Sequence, residues 1–380
     1  MKILLLGEYS RLHNSLKEGL DSLGHEVIIV GCGDKFKQFP VDYSIYAKIC
    51  NSTKLGNFLY KGIRKTTTVD FEKIEKAIRF YFLIPKLSDF DHVQLINSDA
   101  LETYPILSRL LYIKLFAKIK SRSLLVCGDE VPVIEYLLKN EMKYSILTSY
   151  FENKKLKKQF HFPLKYATSE YKKTFNWLKE HCQNIITSDL DYEIPMQKMG
   201  FNTKLIPNPI NTDKIEYSPL KIDDKIIIFL GINKLSYHKK GITFFEKALA
   251  IIKEKYSKKV DIIITENIPY NEYISIYNKA HILLDQIYAY DQGYNALEAM
   301  TKGKVVFTGA ETEFLKQYRL KENEVCINAL PDVNDIVEKL SLLIENPDLI
   351  LEISKNAKAF IEKDHHYKTI AITYLKTWEV

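Results

Sequence analysis

Short runs of wholly apolar residues, each closed by a turn and followed by a segment of helical periodicity, constrain this chain most. Residues 2–6 (KILLL) and 26–30 (EVIIV) bracket a segment in which Leu12, Leu16, Leu20 and Leu23 recur at helical spacing, with Gly24 as its stop. A strand that is apolar without alternation is buried on both faces, the condition of a parallel sheet covered by helices. The opening is therefore a βαβ unit. The pattern returns at 92–96, 123–126 and 184–187, between helical stretches at 101–119, 131–139 and 169–180. A second array starts at 225–230 (KIIIFL), runs through a helix at 242–255 and strands at 261–265, 282–284 and 305–307, and ends in helices predicted at 332–346, 347–361 and 367–378. Between the arrays, residues 205–211 (LIPNPIN) break the periodicity with turn formers, which sets a domain boundary near residue 208. The 380 residues suffice for two domains that each bury a core.

Composition excludes several classes. No apolar run approaches the length of a membrane span, and MKILLLGEY reads as a first strand and not as a signal peptide. Cys32, Cys50, Cys127, Cys182 and Cys326 are odd in number and scattered, which suggests a reduced, cytoplasmic protein without a disulfide framework or structural zinc. A net charge of +6 is too modest to imply nucleic-acid binding. One segment is locally basic: between 151 and 177 stand Lys154, Lys155, Lys157, Lys158, Lys165, Lys172 and Lys173, with Phe160, Phe162, Tyr166 and Tyr171. It is either a solvated helix face or a surface for an anionic membrane, which would place the protein at the membrane's inner face.

Ligand chemistry is expected at the carboxyl ends of the strands. The apolar strand 282–284 leads through a polar, aromatic loop, 285–293, into a helix at 294–302 that Gly303 ends. Free N–H groups and the helix dipole attract phosphate at such a helix start. Gly231 through Lys240-Gly241 precedes the helix at 242–255 in the same way, with Lys234 and His238 nearby; the alternative is a solvated Lys-Lys pair on a turn. The first loop, Gly7-Glu8-Tyr9-Ser10, lacks the Gly-x-Gly-x-x-Gly spacing, which weakens a dehydrogenase reading. Asp129, closing the strand at 123–126, is either the N-cap of the helix near Pro132 or a functional carboxylate. Asp189 and Asp191 form an Asp-x-Asp, weak evidence for a metal. Glu311 and Glu313 either reach a ligand or charge the next helix start.

The stretch NALEAMTKGKVV (295–306) resembles the signature of glycosyltransferases with the GT-B fold, in particular family 4. The loop before it, with Asp285, Gln286, Tyr288 and Tyr290, more closely resembles a bacterial variant group. The resemblance implies an α/β protein of two Rossmann-like domains with parallel sheets facing an interdomain cleft: 1–208 for the acceptor, 209–363 for the donor, and a terminal helix, 364–380, packing back on the first. It implies a retaining, metal-independent transferase without a cofactor, moving sugar from a nucleoside-diphosphate sugar to a glycan or lipid-linked acceptor in surface polysaccharide or glycoconjugate synthesis. Glu298 would hold the donor ribose, and Lys240-Gly241 the diphosphate. Where the family has its first glutamate, eight positions before Glu298, this chain has Tyr290 followed by Asp291; Gly293, Tyr294 and Asn295 complete the expected donor loop. Gly7, His13 and Asp129 would lie on the acceptor side. The alternatives are a non-catalytic nucleotide-sugar-binding relative and a nucleotide-sugar epimerase of the same fold.

Overall fold

A computed structural model describes residues 1–33, 39–52 and 69–379. Among these, two parallel sheets account for every strand. The first, seven-stranded, has the order β3-β2-β1-β4-β5-β6-β7. Its strands are β1 (Lys2–Leu6), β2 (Glu26–Gly31), β3 (Tyr43–Ser44), β4 (His92–Leu95), β5 (Ser121–Val126), β6 (Asn184–Thr187) and β7 (Lys204–Leu205). The second, five-stranded, has the order β12-β11-β10-β8-β9. It comprises β8 (Ile226–Ile232), β9 (Val260–Glu266), β10 (Ile282–Leu284), β11 (Val305–Thr308) and β12 (Ile327–Asn328). Leu4 pairs with Ile28 on one side and Val93 on the other, and Leu283 with Phe229 and Val306, so the unbroken apolar runs are the sheet centres.

Strand order fixes where ligands bind. In the first sheet the chain winds from β1 outward through β2 and β3, then restarts at β4 on β1's other side. In the second it winds from β8 to β9 and restarts at β10, on the other side of β8. Each reversal opens a crevice at the strands' carboxyl ends. The crevices are bounded by Gly7 and the loop after Leu95 in one sheet, and by the loops 233–241 and 285–293 in the other.

The chain passes between the sheets twice, side by side: Ile210 N–H donates to the carbonyl of His365 (2.8 Å), and Tyr367 N–H to that of Ile210 (3.1 Å). The terminal helix Tyr367–Trp378 then lies on the helix Leu12–Ser22 of the first array. Gly19 permits that approach, since a Cβ there would stand 2.6 Å from the carbonyl oxygen of Tyr367. Trp378 stacks on His92 at 4.4 Å and belongs to the first sheet's core.

Two expectations change. The helix expected at 101–119 is Pro105–Phe116, because proline with its fixed φ sets the first turn. The basic segment is not an aromatic surface: Phe160, Tyr166 and Tyr171 are buried in the first core, and of the four aromatics only Phe162 is exposed. Lys165 turns inward with them, pairing with buried Asp99 at 2.8 Å and lying 3.9 Å from the Phe162 ring centroid.

Candidate active site

The first-domain crevice is built around a loop that only particular residues can make. Gly7 has φ +87°, and a Cβ there would fall 2.4 Å from the Ile96 side chain. Ser10 and Arg11 follow at φ 52° and 75°, consecutive left-handed residues without glycine's freedom. Such backbone persists where its surroundings fix it, often beside a ligand. His13, expected on the acceptor side, is instead beneath this loop. It is fully buried, its Nδ1 2.7 Å from the Gly7 carbonyl oxygen and its Nε2 3.2 Å from Gln94 Nε2. Burial lowers its pKa to about 4, so the ring is neutral, with Nδ1–H donating to Gly7 and Nε2 accepting from the amide. It positions Gly7 and does not reach the cleft.

The helix Val131–Leu138 is capped by Glu130, which accepts from Val131 N–H (2.8 Å) and from Ser98 N–H and Oγ (2.7 Å each), so the capping alternative for Asp129 is overturned. Asp129 is half-buried, and its carboxylate has no hydrogen-bond or ion-pair partner among the described residues. Burial raises its pKa, against the charges of Lys239 from the second domain and of Lys165. Asp129 thus stands at the end of β5 within electrostatic reach of Lys239 of the second domain, and it is not among the residues that line the cavity described below.

In the second domain the two loops at the crevice are joined through one carboxylate. Lys240 Nζ (2.8 Å) and Asn295 Nδ2 (2.9 Å) both donate to Oδ1 of Asp285, which is buried at the end of β10. Gly241 caps the helix Ile242–Lys255 at φ +67°, and a Cβ there would meet Ile287 at 2.8 Å. The turns at Gly241 and Tyr294 are therefore neighbours. The Lys240 ammonium, expected on the diphosphate, is already neutralised by Asp285. Lys234 points elsewhere and pairs with exposed Glu266 at 2.5 Å. His238 contributes its carbonyl, which accepts from Ser149 Oγ of the first domain (3.1 Å). Gly231 makes room for an aromatic ring, for a Cβ there would meet Tyr273 at 2.5 Å; Gly293, the residue before the helix Tyr294–Thr301, is not crowded in this way.

Tyr290, Asp291 and Glu311 form joints between the domains and do not line the cavity. The Tyr290 hydroxyl accepts from Lys143 N–H (3.2 Å), and Glu311 accepts from Tyr144 Oη, from Asn328 Nδ2 (3.1 Å) and from Lys143 Nζ (3.3 Å). Against the upward push of burial, those hydrogen bonds and the lysine's charge hold the Glu311 carboxyl below its ordinary range. The Asp-x-Asp is part of the same closure. Asp191 accepts from Tyr290 N–H (2.9 Å) and Asp291 N–H (3.3 Å), while Asp291 accepts from Leu190 N–H (3.1 Å). Burial pushes Asp191 up to about 7 and Asp291 up to about 6. Among the described residues no group of His, Cys, Asp and Glu is arranged to hold a metal.

One cavity, of about 590 Å³, lies between Ser10 and Arg11 on the first domain and Tyr294, Asn295 and Glu298 on the second, a volume within the range of small-molecule sites. Tyr273, Tyr277, Lys214, Ile215, Glu216, Ser218, Lys302 and Lys304 also line it. Tyr294 is held by its hydroxyl, which donates to Pro209's carbonyl (3.0 Å) and meets Ser15 Oγ. Of the expected donor residues the cavity gathers Tyr294, Asn295 and Glu298 and leaves out Lys240. Sequence reasoning missed Arg11 and Tyr273, and it named Asp285 only as part of the family resemblance, without a role. Arg11 directly follows a loop that was singled out, and a cation at a helix start facing an expected phosphate was the available signal.

The arrangement offers aromatic faces, a carboxylate one turn inside a helix, an open helix N-terminus and several cations. These match, in turn, a base, a sugar diol and phosphates. Residues 239–376 match the sequence model of a family described as glycosyl transferase-like. No curated protein matches the sequence. Solved structures superpose along the whole chain: sucrose-phosphate synthase from Thermosynechococcus elongatus covers all of this chain and 98% of its own at 14% identity and a TM-score of 0.63. Alr3699/HepE from Anabaena, solved with UDP, covers all of both chains at 13% identity and a TM-score of 0.59. TarM from S. aureus, as a variant solved with Fondaparinux, alpha-GlcNAc-glycerol and UDP, covers all of both at 11% and 0.60. The chain thus has the GT-B fold, and its second domain is glycosyl transferase-like in sequence.

Proposed function

We propose that this GT-B protein transfers a sugar from a nucleoside-diphosphate sugar bound in the cavity to a hydroxyl presented by the first domain. The observation that supports it most is the meeting, across one cavity, of Arg11 with the N-terminus of the helix Tyr294–Thr301 and with Glu298 one turn along. On this reading Glu298 accepts from the ribose hydroxyls and Tyr273 lies beside the base. The diphosphate meets the amides at Tyr294 and Asn295 and the Arg11 guanidinium. Charge grows on the leaving diphosphate as the glycosidic bond breaks, so donors already aimed there lower the barrier. Lys240 acts through Asp285, whose carboxylate orients Asn295 toward the cavity. Asp129 receives the acceptor's proton or orients its hydroxyl. Retention of configuration and independence of metal belong to the proposal through the likeness to family 4, as does an acceptor in surface polysaccharide or glycoconjugate synthesis.

UDP-glucose is the first donor to try, and UDP the first nucleotide to test for binding, because HepE was solved with each of them and TarM with UDP. A second reading, binding without transfer, is favoured by one observation: Tyr290 and Asp291, at the family's first glutamate, are committed to the domain joint. Thermal-shift titration with nucleoside diphosphates measures binding, since a ligand at a hundred times its Kd stabilises by about 2.7 kcal/mol. Release of nucleoside diphosphate in the presence of acceptor measures transfer. We expect both to be lost in Glu298→Ala; turnover undiminished in that variant refutes the site, and binding without turnover for every donor tried selects the second reading.

A further inference from the structure

The helix Pro105–Phe116 is apolar on both sides. It buries Leu111, Leu115 and Phe116 against the first sheet, yet Ile106, Leu110 and Ile113, spaced along its outer face, are 50%, 52% and 45% exposed. A helix that is hydrophobic all round ordinarily lies within a core or against an apolar medium. The neighbouring helix Phe71–Leu83 repeats the pattern, with Ile78, Tyr81 and Phe82 on its outer face and Phe82 72% exposed. The two faces are continuous, because Lys114 of the first helix lies over the Tyr81 ring of the second at 5.4 Å. Contiguous exposed apolar surface of this kind marks an interaction site.

Charge selects the partner. Across 71–89 and 105–120 the chain has Lys or Arg at 73, 76, 79, 86, 109, 114, 118 and 120, against acids at 72, 75 and 89 only. The buried Lys76 is taken up by Glu72 and Glu102, but Lys86, Lys114, Lys118 and Lys120 are exposed, Lys114 on the apolar face itself and the others just past the carboxyl ends of the two helices. A second copy of the chain would bring this positive rim against itself. An anionic surface with an apolar interior is complementary to both features at once. We infer that the outer faces of helices Phe71–Leu83 and Pro105–Phe116 dock on an anionic lipid bilayer, with Ile106, Leu110, Ile113 and Phe82 entering the acyl boundary and the lysines meeting headgroups. Tyr81 under Lys114 suits the boundary itself, where rings with a polar end concentrate. No described helix is long and apolar enough to cross a membrane, so the contact is with one leaflet. The patch begins where Pro105 leaves the loop after β4, beside the cleft, and docking would hold the acceptor-side crevice against the bilayer. The inference stands on the exposed faces and their charge, independently of the transfer reaction.

Flotation of the full chain with vesicles of phosphatidylcholine, alone or doped with phosphatidylglycerol, tests it. Binding is expected only to the doped vesicles and is weakened by salt. The combined variant Ile106→Ser, Leu110→Ser, Ile113→Ser should lose at least tenfold in binding with its unfolding midpoint unchanged. Lys114→Glu with Lys118→Glu should weaken binding about fivefold or more for each lysine replaced. No flotation with doped vesicles at low salt overturns the inference, as does either variant floating like the wild type. A wild-type dimer that the serine variant converts to monomer also overturns it and assigns the face to a second copy.

Discussion

Arg11 and Lys240 show how differently two cations at one site behave. Arg11 is held in the left-handed region with its guanidinium 3.3 Å from Glu18, and it lines the cavity directly. A planar fork that binds phosphate through two N–H groups is not reproduced by an ammonium. Arg11→Lys should therefore raise the donor's KM about tenfold, the value of one charge-assisted hydrogen bond, while the unfolding midpoint barely moves. An equal KM in steady-state assays removes Arg11 from the donor site. Lys240, one-third exposed, serves a buried carboxylate. Lys240→Met leaves Asp285 with Asn295 alone and should cost roughly 1–3 kcal/mol of stability in denaturant unfolding, a loss that Asp285→Asn added to it should partly restore. At this scale the sequence was half legible. Glu298 and the helix start at Tyr294 were expected, the one from the family resemblance and the other from the strand, loop and helix around it, and both line the cavity. Arg11 and Tyr273 were not, and Asp285 was named without a role, since each acquires its place from partners that only the folded crevice supplies.

Between elements, the closure of the cleft depends on carboxylates in an unfavourable setting. Asp191 and Asp291 exchange backbone hydrogen bonds across the domains, with Asp189 beside them, and burial raises all of them above the ordinary 3.8. Groups whose folded pKa is raised bind protons more tightly in the folded protein, so their contribution is fully present below about pH 4 and is lost as pH rises through 6 and 7. Buried His13, His92 and His365, lowered to between about 3 and 4, act in the opposite direction, so total stability is not the readout. The difference is: the unfolding midpoint of Asp191→Asn minus that of the wild type should increase from pH 5 to pH 8. A difference that stays flat over that range means the carboxylates ionise freely. Strands were legible because buried parallel strands read as unbroken apolar runs, such as Ile226–Leu230. The Asp-x-Asp was not, because a tripeptide states its residues and not the loop it will face; here that loop is 290–292, about a hundred residues away.

For the molecule as a whole, the strand order places both switch points on one cleft, while the chain's last helix ties the halves together. Alternation of strand and helix gave the α/β class directly, and two arrays gave two sheets. The terminal helix is different: nothing in the residues Tyr367–Trp378 themselves says which sheet they cover, and only the family resemblance implied the first. The structure puts Ile370, Tyr374 and Trp378 in the first sheet's core, with Trp378 on His92 and Gly19 admitting the helix backbone. Burial of a large side chain contributes about 1.5–3 kcal/mol, so these three supply several kcal/mol. A domain's whole stability is only about 5–15 kcal/mol. Residues 1–208 expressed alone should then fail to unfold cooperatively and should expose apolar surface to a hydrophobic dye. A chain ending at 366 should lose the first sheet's transition at lower temperature or denaturant while the second sheet, whose core draws nothing from 367–379, unfolds near its usual midpoint. Cooperative unfolding of 1–208 at the full chain's midpoint would show that the first sheet is sufficient without the helix, and that the tie serves the geometry of the cleft alone.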